Sequence, residues 1–304
     1  MGVLEPISET RIVDTRTMPW ETFPGLPNSV MKPLVIDSDG VARVMIRVIK
    51  PSKELATSLP TMPYRHYHSS VAEHTYYLAG DLPHWDYASP EDGVGALVDF
   101  KAGYFLDGNP GPGGLHGIED GPRSKTGGIV LNWRNGVGNN SLEPNFHEES
   151  IQVDYPAGKS TVATVAAESA TDGSGVVYQS EARTILDTRA MRWQQFPGTK
   201  GGYIKVLARD PDGVPKTLLG WLPRGNSEAL RTRPDKAGQQ FRENIYVLRG
   251  SLPHPDGNGG FIHLPEGTYI DRPVVPDSPW EEAATTPEMM VGATVLMWRA
   301  EDFA

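Results

Sequence analysis

The chain contains no cysteine, which excludes a disulfide framework, a thiol nucleophile and any cysteine-based zinc site. Long apolar runs are missing too, and no stretch approaches the roughly 18 residues that a membrane-crossing helix needs. The opening Met1-Gly2-Val3-Leu4-Glu5-Pro6 lacks both the basic start and the apolar core of a signal peptide, so a cytoplasmic location is expected. Positive charge is scarce. There are 28 Lys and Arg against 38 Asp and Glu, a net charge of −10, with no local basic cluster. That balance argues against a phosphate-backbone binder. Neither nucleic acid nor membrane is an expected partner, and an acidic enzyme acting on a small molecule fits better.

Turn-forming residues are abundant. Gly 33 and Pro 27 in 304 residues favour many short strands joined by turns over long helices. Apolar or β-branched runs bounded by turns predict strands at 41–49, 73–78 and 128–133, and again at 216–222, 244–248 and 293–298.

The second group of strands repeats the first. Arg11-Ile12-Val13-Asp14-Thr15-Arg16, followed by Trp20 and Phe23-Pro24-Gly25, recurs as Thr184-Ile185-Leu186-Asp187-Thr188-Arg189, followed by Trp193 and Phe196-Pro197-Gly198. Gly80-Asp81-Leu82-Pro83-His84 recurs as Gly250-Ser251-Leu252-Pro253-His254, and Val130-Leu131-Asn132-Trp133-Arg134 as Val295-Leu296-Met297-Trp298-Arg299. Asp187 follows Asp14 by 173 residues and Trp298 follows Trp133 by 165, so the second copy is slightly shorter. Such self-similarity means two like domains in one chain.

The chemistry sits in the first copy. His66-Tyr67-His68 places two imidazoles at i and i+2, which share one side of a strand. Glu73 follows on the next strand, and His116 stands in the Gly/Pro-rich stretch 107–122. A single histidine on a strand is usually structural. Three histidines and a glutamate in this order suit a divalent transition metal, since burying them unpartnered costs several kcal/mol.

The order His66-x-His68-x(4)-Glu73-x(6)-Gly80 resembles the first signature of the cupin superfamily, H-x-H-x(3,4)-E-x(6)-G, at every defined position. Gly113-Gly114-Leu115-His116 supplies the G-x-x-H core of the second signature, with Gly111 where that signature has Pro and Asp120 where it has Asn. The resemblance implies an all-β fold of two tandem cupin-type β-barrels (double-stranded β-helix, or jelly roll), a bicupin. It implies one divalent metal per chain, held by His66, His68, Glu73 and His116. Fe(II) is the first choice of metal, with Mn(II), Zn(II) and Ni(II) as alternatives. The expected division is 1–150 for the metal-binding domain, 151–175 for a linker or crossing segment, and 176–304 for a second domain. Exchange of flanking strands between the two stays open.

The second copy keeps Glu243 in E-x(6)-G, but Lys236 and Gly238 stand where the first two histidines would be, and no His follows Gly267. One metal per chain is therefore expected. His84 recurs as His254, which points to a structural role. His147-Glu148-Glu149 begins a zinc-protease motif that Ile151 breaks. By strand alternation Thr75 and Tyr77 share the face of Glu73, making Tyr77 a candidate for the pocket wall. No general acid or base stands out among Tyr64, Tyr67, His74, Tyr76 and Arg134.

Three functions remain. The first is an Fe(II)-dependent dioxygenase acting with O2 on a small chelating substrate, diketone-, hydroxyketone- or enolate-like, with C–C cleavage as one outcome. The second is a redox-silent lyase, isomerase or hydrolase that uses the metal as Lewis acid. The third is a metal-assisted binding module. A homodimer is left open.

Overall fold

The computed structural model describes residues 10–23, 29–38, 40–51, 66–68, 71–87, 95–110, 116, 126–135, 150–152, 171–196, 201–222, 241–256, 258, 260–274 and 292–300. Side chains at 66, 67, 85, 87, 95–97, 135, 150–152, 241, 255 and 300 are outside that description. Among the described residues there is no helix, and the strands are antiparallel throughout. The high glycine and proline content and the alternating apolar runs both point to this outcome. No described helix is long and apolar enough to cross a membrane.

The chain divides into two units. The N-terminal unit, Pro19–Met191, is built on a nine-stranded sheet. Its strands are β2 (Glu21–Thr22), β3 (Ser29–Ile36), β4 (Ala42–Ile49), β6 (Ala72–Tyr87), β7 (Gly95–Lys101), β8 (Tyr104–Gly108), β9 (Gly128–Asn135), β11 (Val176–Gln179) and β12 (Arg183–Asp187). They run in the order β11-β12-β8-β6-β9-β4-β3-β2, with β7 paired to β6. A separate two-stranded sheet joins β5 (His66–His68) to β10 (Ser150–Gln152). The core gathers Ile49, Tyr77, Leu82, Val98, Phe100, Leu106, Val130 and Ile185. Each such side chain contributes about 1.5–3 kcal/mol through burial.

The C-terminal unit combines the segment ending at Met18 with Arg192–Asp302. Its strands are β1 (Arg11–Asp14), β13 (Gln194–Gln195), β14 (Tyr203–Arg209), β15 (Pro215–Leu222), β16 (Phe241–Pro255), β17 (Phe261–Pro265), β18 (Thr268–Val274) and β19 (Ala293–Ala300). The order is β1-β18-β16-β19-β15-β14-β13, with β17 on β16. Ile204, Leu218, Ile245, Val247, Ile270, Val295 and Met297 fill its core.

This grouping differs from the division expected at 150 and 176. β1 leads the first copy of the repeat yet pairs with β18, and β12 leads the second copy yet pairs with β8. The reason lies in the Asp-Thr-Arg motif. Thr188 Oγ1 donates to Gly103 O at 2.6 Å, and Thr15 Oγ1 to Gly267 O at 2.7 Å. In each motif the aspartate takes the backbone N and the Nε of the arginine two residues on, at 3.0 and 2.8 Å. The lead segment of each copy is thus anchored in the unit built from the rest of the other.

The second repeated motif has an equally local cause. β6 and β16 are long strands that leave the main sheet half-way, after a register shift between Tyr77 and Ala79 and between Val247 and Arg249. Gly80 and Gly250 stand at that corner with φ of 87° and 84°, a conformation open to glycine. A Cβ at either would also collide with the backbone carbonyl of Gly127 or Gly292. Beyond the corner, β6 pairs with β7 and β16 with β17. The strand carrying Glu73 therefore also carries His84 and Asp86 to one end of the unit.

Candidate metal centre

Three of the four expected ligands come together in the N-terminal unit. His68 ends β5, Glu73 lies at the start of β6, and His116 forms an isolated bridge with Asp86 near the end of β6. One ligand atom from each of His68, Glu73 and His116 lies within 4.8 Å of the others. Glu73 Oε2 is 3.5 Å from His68 Nε2 and 3.9 Å from His116 Nε2, and the two rings are 5.3 Å apart. Both histidines are buried. The backbone of His66 stands opposite Gln152 in β5, and its side chain falls outside the described residues, as does most of the 107–122 loop beyond Pro110.

Other residues hold the glutamate. Asn132 on β9 donates through Nδ2 to Glu73 Oε1 at 3.1 Å, to Thr75 Oγ1 at 2.8 Å and to the His74 carbonyl at 3.3 Å. Arg134, two residues further along the same strand, approaches Glu73 Oε1 to 3.3 Å. Tyr77 lies deeper, stacked on Phe100 with ring centroids 4.3 Å apart. His74 points elsewhere, with Nδ1 2.8 Å from Asp107 Oδ1 and its ring stacked on Trp133.

One member of the cluster was not picked out by the motif. Arg183, on β12, is buried and ion-paired to Asp86 through Nη1. Its Nη2 is 3.9 Å from Glu73 Oε2. His84, read above as structural, sits beside it: its Nε2 is 3.5 Å from Arg183 Nη1, and its ring is 5.3 Å from His116. A histidine kept in both halves thus stands next to the cluster in one of them. The available sequence signal was the contrast between halves, polar Thr75, Tyr77 and Asn132 against Ile245, Val247 and Met297.

Electrostatics favour ligand protonation states. Burial pushes the His68 imidazole down, against the pull of Glu73, and favours its neutral form; burial does the same to His84. Burial alone would raise the Glu73 carboxyl. The hydrogen bond from His68 and the Arg134 guanidinium act against that and hold it below the usual carboxylate range. With His68 neutral, Arg134 carries the permanent charge in this balance. Burial, with Glu73 and Asp86 nearby, keeps the Tyr77 phenol protonated.

The C-terminal unit solves the same problem without a ligand set. Glu243, fully buried at the position of Glu73, accepts from Arg272 Nε at 2.8 Å and also from Nη2. Ile245, Val247 and Met297 pack into its apolar core. Lys236 and Gly238, expected in place of the first two histidines, lie outside the described residues.

No protein-family model matches the chain, and no curated protein does. Solved structures do match. That of Streptomyces albus HEPD with 2-hydroxyethylphosphonate and Fe(II) bound has a TM-score of 0.51 at 14% identity, over 98% of this chain and 77% of that one. A deletion mutant of Bacillus subtilis oxalate decarboxylase OxdC gives 0.50 at 12% identity, over 99% and 80%. The likeness at these identities is one of fold. The chain has a bicupin fold.

The residues of the first bicupin barrel fit a metal ion. Metal–ligand distances of about 2.0–2.2 Å place neighbouring ligand atoms roughly 3.0–3.6 Å apart. The 3.5 and 3.9 Å separations about Glu73 Oε2 need only slight tightening around an ion. Imidazole with carboxylate suits Fe, Mn, Ni and Zn in their divalent states. The second barrel, with its glutamate spent on Arg272, offers no such set among the described residues.

Proposed function

We propose that His68, Glu73 and His116, joined by His66, hold one divalent transition metal, Fe(II) in the first instance. The chain then acts as an oxygen-dependent enzyme on a small chelating substrate of the diketone, hydroxyketone or enolate kind. The observation that supports this reading is the convergence of two imidazole nitrogens and a carboxylate within 4.8 Å, in a buried setting that keeps His68 neutral and Glu73 ionised.

Fe(II), when bound, supplies one-electron chemistry toward dioxygen, and the protein controls access and electrostatics. Asn132 and Arg134 fix the carboxylate of Glu73, so the donor set is preorganised. Tyr77, on the strand that carries Glu73, stacks on Phe100 and shares one buried apolar core with Leu106 and Val130. In a site of low dielectric, the guanidinium groups of Arg134 and Arg183 stabilise negative charge that develops on a bound enolate.

The test combines metal analysis on protein purified without added metal with oxygen uptake across a panel of small diketones, hydroxyketones and enolisable acids. One iron per chain and substrate-dependent oxygen uptake are expected. Equal turnover without oxygen, or full activity of a Zn(II) form, would assign the site to Lewis-acid chemistry instead.

A further inference from the structure

The charges around the cluster are not balanced for a metal alone. Glu73 and Asp86 are matched by Arg134 and Arg183, and Arg47 adds a third guanidinium whose charge reaches Glu73. A divalent ion among neutral imidazoles leaves this interior strongly positive. Low-dielectric surroundings make such an excess costly unless an anion enters with the metal.

The geometry shows where an anion would go. Arg183 is 3% exposed and uses Nη1 on Asp86. Its Nε has no hydrogen-bond partner among the described residues, and its Nη2 is 3.9 Å from Glu73 Oε2, beyond hydrogen-bond reach. The Nε and Nη2 donors form the parallel edge of a guanidinium that takes both oxygens of a carboxylate. Gly108 on β8 lies opposite Arg183 in register. A Cβ there would meet the Glu73 carbonyl oxygen at 3.0 Å and would lie in van der Waals contact with both donors, 3.4 Å from Nη2 and 3.5 Å from Nε. The corresponding residue in the C-terminal unit, four after Gly267 plus one as Gly108 is after Gly103, is Arg272, which fills that space with its own guanidinium and closes it onto Glu243. One half has filled the position; the other has emptied it and brought in an arginine from the strand alongside.

We propose that the Nε–Nη2 edge of Arg183, kept clear by Gly108, receives a carboxylate of the substrate, so that the substrate is a small carboxylate anion whose second oxygen donor reaches the metal. This rests on the metal reading above and narrows its substrate class from chelating carbonyl compounds in general to those bearing a carboxylate. Arg183 is then a specificity-determining residue supplied by the exchanged lead segment of the second repeat copy.

The experiment measures binding by calorimetry on the full-length protein, zinc-loaded so that no turnover intrudes, and in parallel on the metal-free protein. Malonate offers a carboxylate to the fork and a second donor to the metal. Acetylacetonate chelates but has no carboxylate. The variants are Arg183→Lys, which keeps the charge without the planar fork, and Gly108→Ala, which leaves Arg183 in place and sets a methyl against its edge and against the Glu73 carbonyl, so zinc content and acetylacetonate binding report any displacement of Glu73. Both are expected to weaken malonate by about tenfold or more, the loss of a charge-assisted bidentate pair, with acetylacetonate weakened much less than malonate and zinc still near one per chain. Malonate binding as tight in both variants as in the wild type overturns the inference. If the wild type takes up no zinc, the metal reading fails by itself; Arg183-dependent malonate binding to the metal-free protein then still supports the fork. Malonate binding in neither form overturns it.

Discussion

Arg272 donates through Nε to Glu243 Oε2 at 2.8 Å, and its Nη2 reaches the same oxygen. This pair occupies the place where the other half sets Glu73 against two histidines. A carboxylate kept in both copies of the repeat, fully buried in one and partly buried in the other, therefore keeps different company: Arg272 in the C-terminal unit and, in the N-terminal one, Arg134 together with two histidines that, on the proposed reading, share it with a metal ion.

Removing Arg272 should expose that dependence. Arg272→Met takes the guanidinium away from the buried Glu243, which costs about 3–5 kcal/mol for a broken buried pair, toward the lower end because the arginine is partly exposed. Adding Glu243→Met should recover most of the loss, since an apolar pair needs no counter-charge and Ile245 and Met297 already line the same core. Denaturant unfolding of the two variants, with metal content recorded beside it, checks this. Similar stability in single and double variants would mean that Glu243 is protonated or otherwise satisfied.

The N-terminal site should respond to its ligands alone. His116→Ala or Glu73→Gln, purified without added metal, should fall from one metal per chain to nearly none. The C-terminal unit should keep its unfolding transition, because Glu243 already has Arg272. Two metals per chain in the wild type, or full occupancy in His116→Ala, would remove the assignment.

The approach of His68 to Glu73 was legible because it is local: a histidine at the end of one strand, a carboxylate at the start of the next, and a glycine at the corner of β6. The strands around the repeat were legible for the same reason. The exchange of lead segments was left open, since the repeat matches 184–189 to 11–16 and says nothing about which of several similar strands each segment pairs with. Arg183 was hidden by that same step. It lies 110 residues after Glu73 in the sequence, and only the pairing of β12 with β8 brings it to the site. His84, read as structural through the repeat, also lies beside the cluster in the N-terminal unit, with Nε2 3.5 Å from Arg183 Nη1.

Asn132 offers a finer test of the site. It touches Glu73 Oε1 at 3.1 Å and so orients the carboxylate, while the other half carries Met297 at the same place. Asn132→Leu should keep the fold and weaken metal binding by about 10–100-fold, the usual effect of losing a partner behind a ligand. Competition with a calibrated chelator reads this directly, and an unchanged affinity would leave Asn132 with a packing role only.

The exchanged segments should contribute equally to their two units. Thr188→Val and Thr15→Val each remove a hydroxyl bond to a carbonyl, Gly103 O and Gly267 O, and a longer contact to a tyrosine hydroxyl, Tyr76 and Tyr246 at 3.5 Å. The Gly103 and Gly267 carbonyls keep a backbone donor, Thr188 N at 2.9 Å and Thr15 N at 3.0 Å, so neither is orphaned. A loss of about 1 kcal/mol is expected for each, seen in denaturation midpoints. Effects that differ in sign between the two variants would show that the repeated motif does different work in the two units.

The last expectation concerns acid. His254 in the C-terminal unit is buried, and burial, with the charge of Arg272 beside it, pushes its imidazole below the ordinary value. The unfolded chain therefore takes up a proton more readily than the folded one. Stability from this group is complete above the unfolded value of about 6.5 and is lost as pH falls from there toward the lower folded value. Replacing the ring with a neutral side chain, His254→Gln, removes the proton uptake. The drop in denaturation midpoint between neutral pH and mild acid should then be smaller in the variant than in the wild type. An equal or larger drop would mean that other groups govern the acid limb and that His254 is accommodated in its charged form.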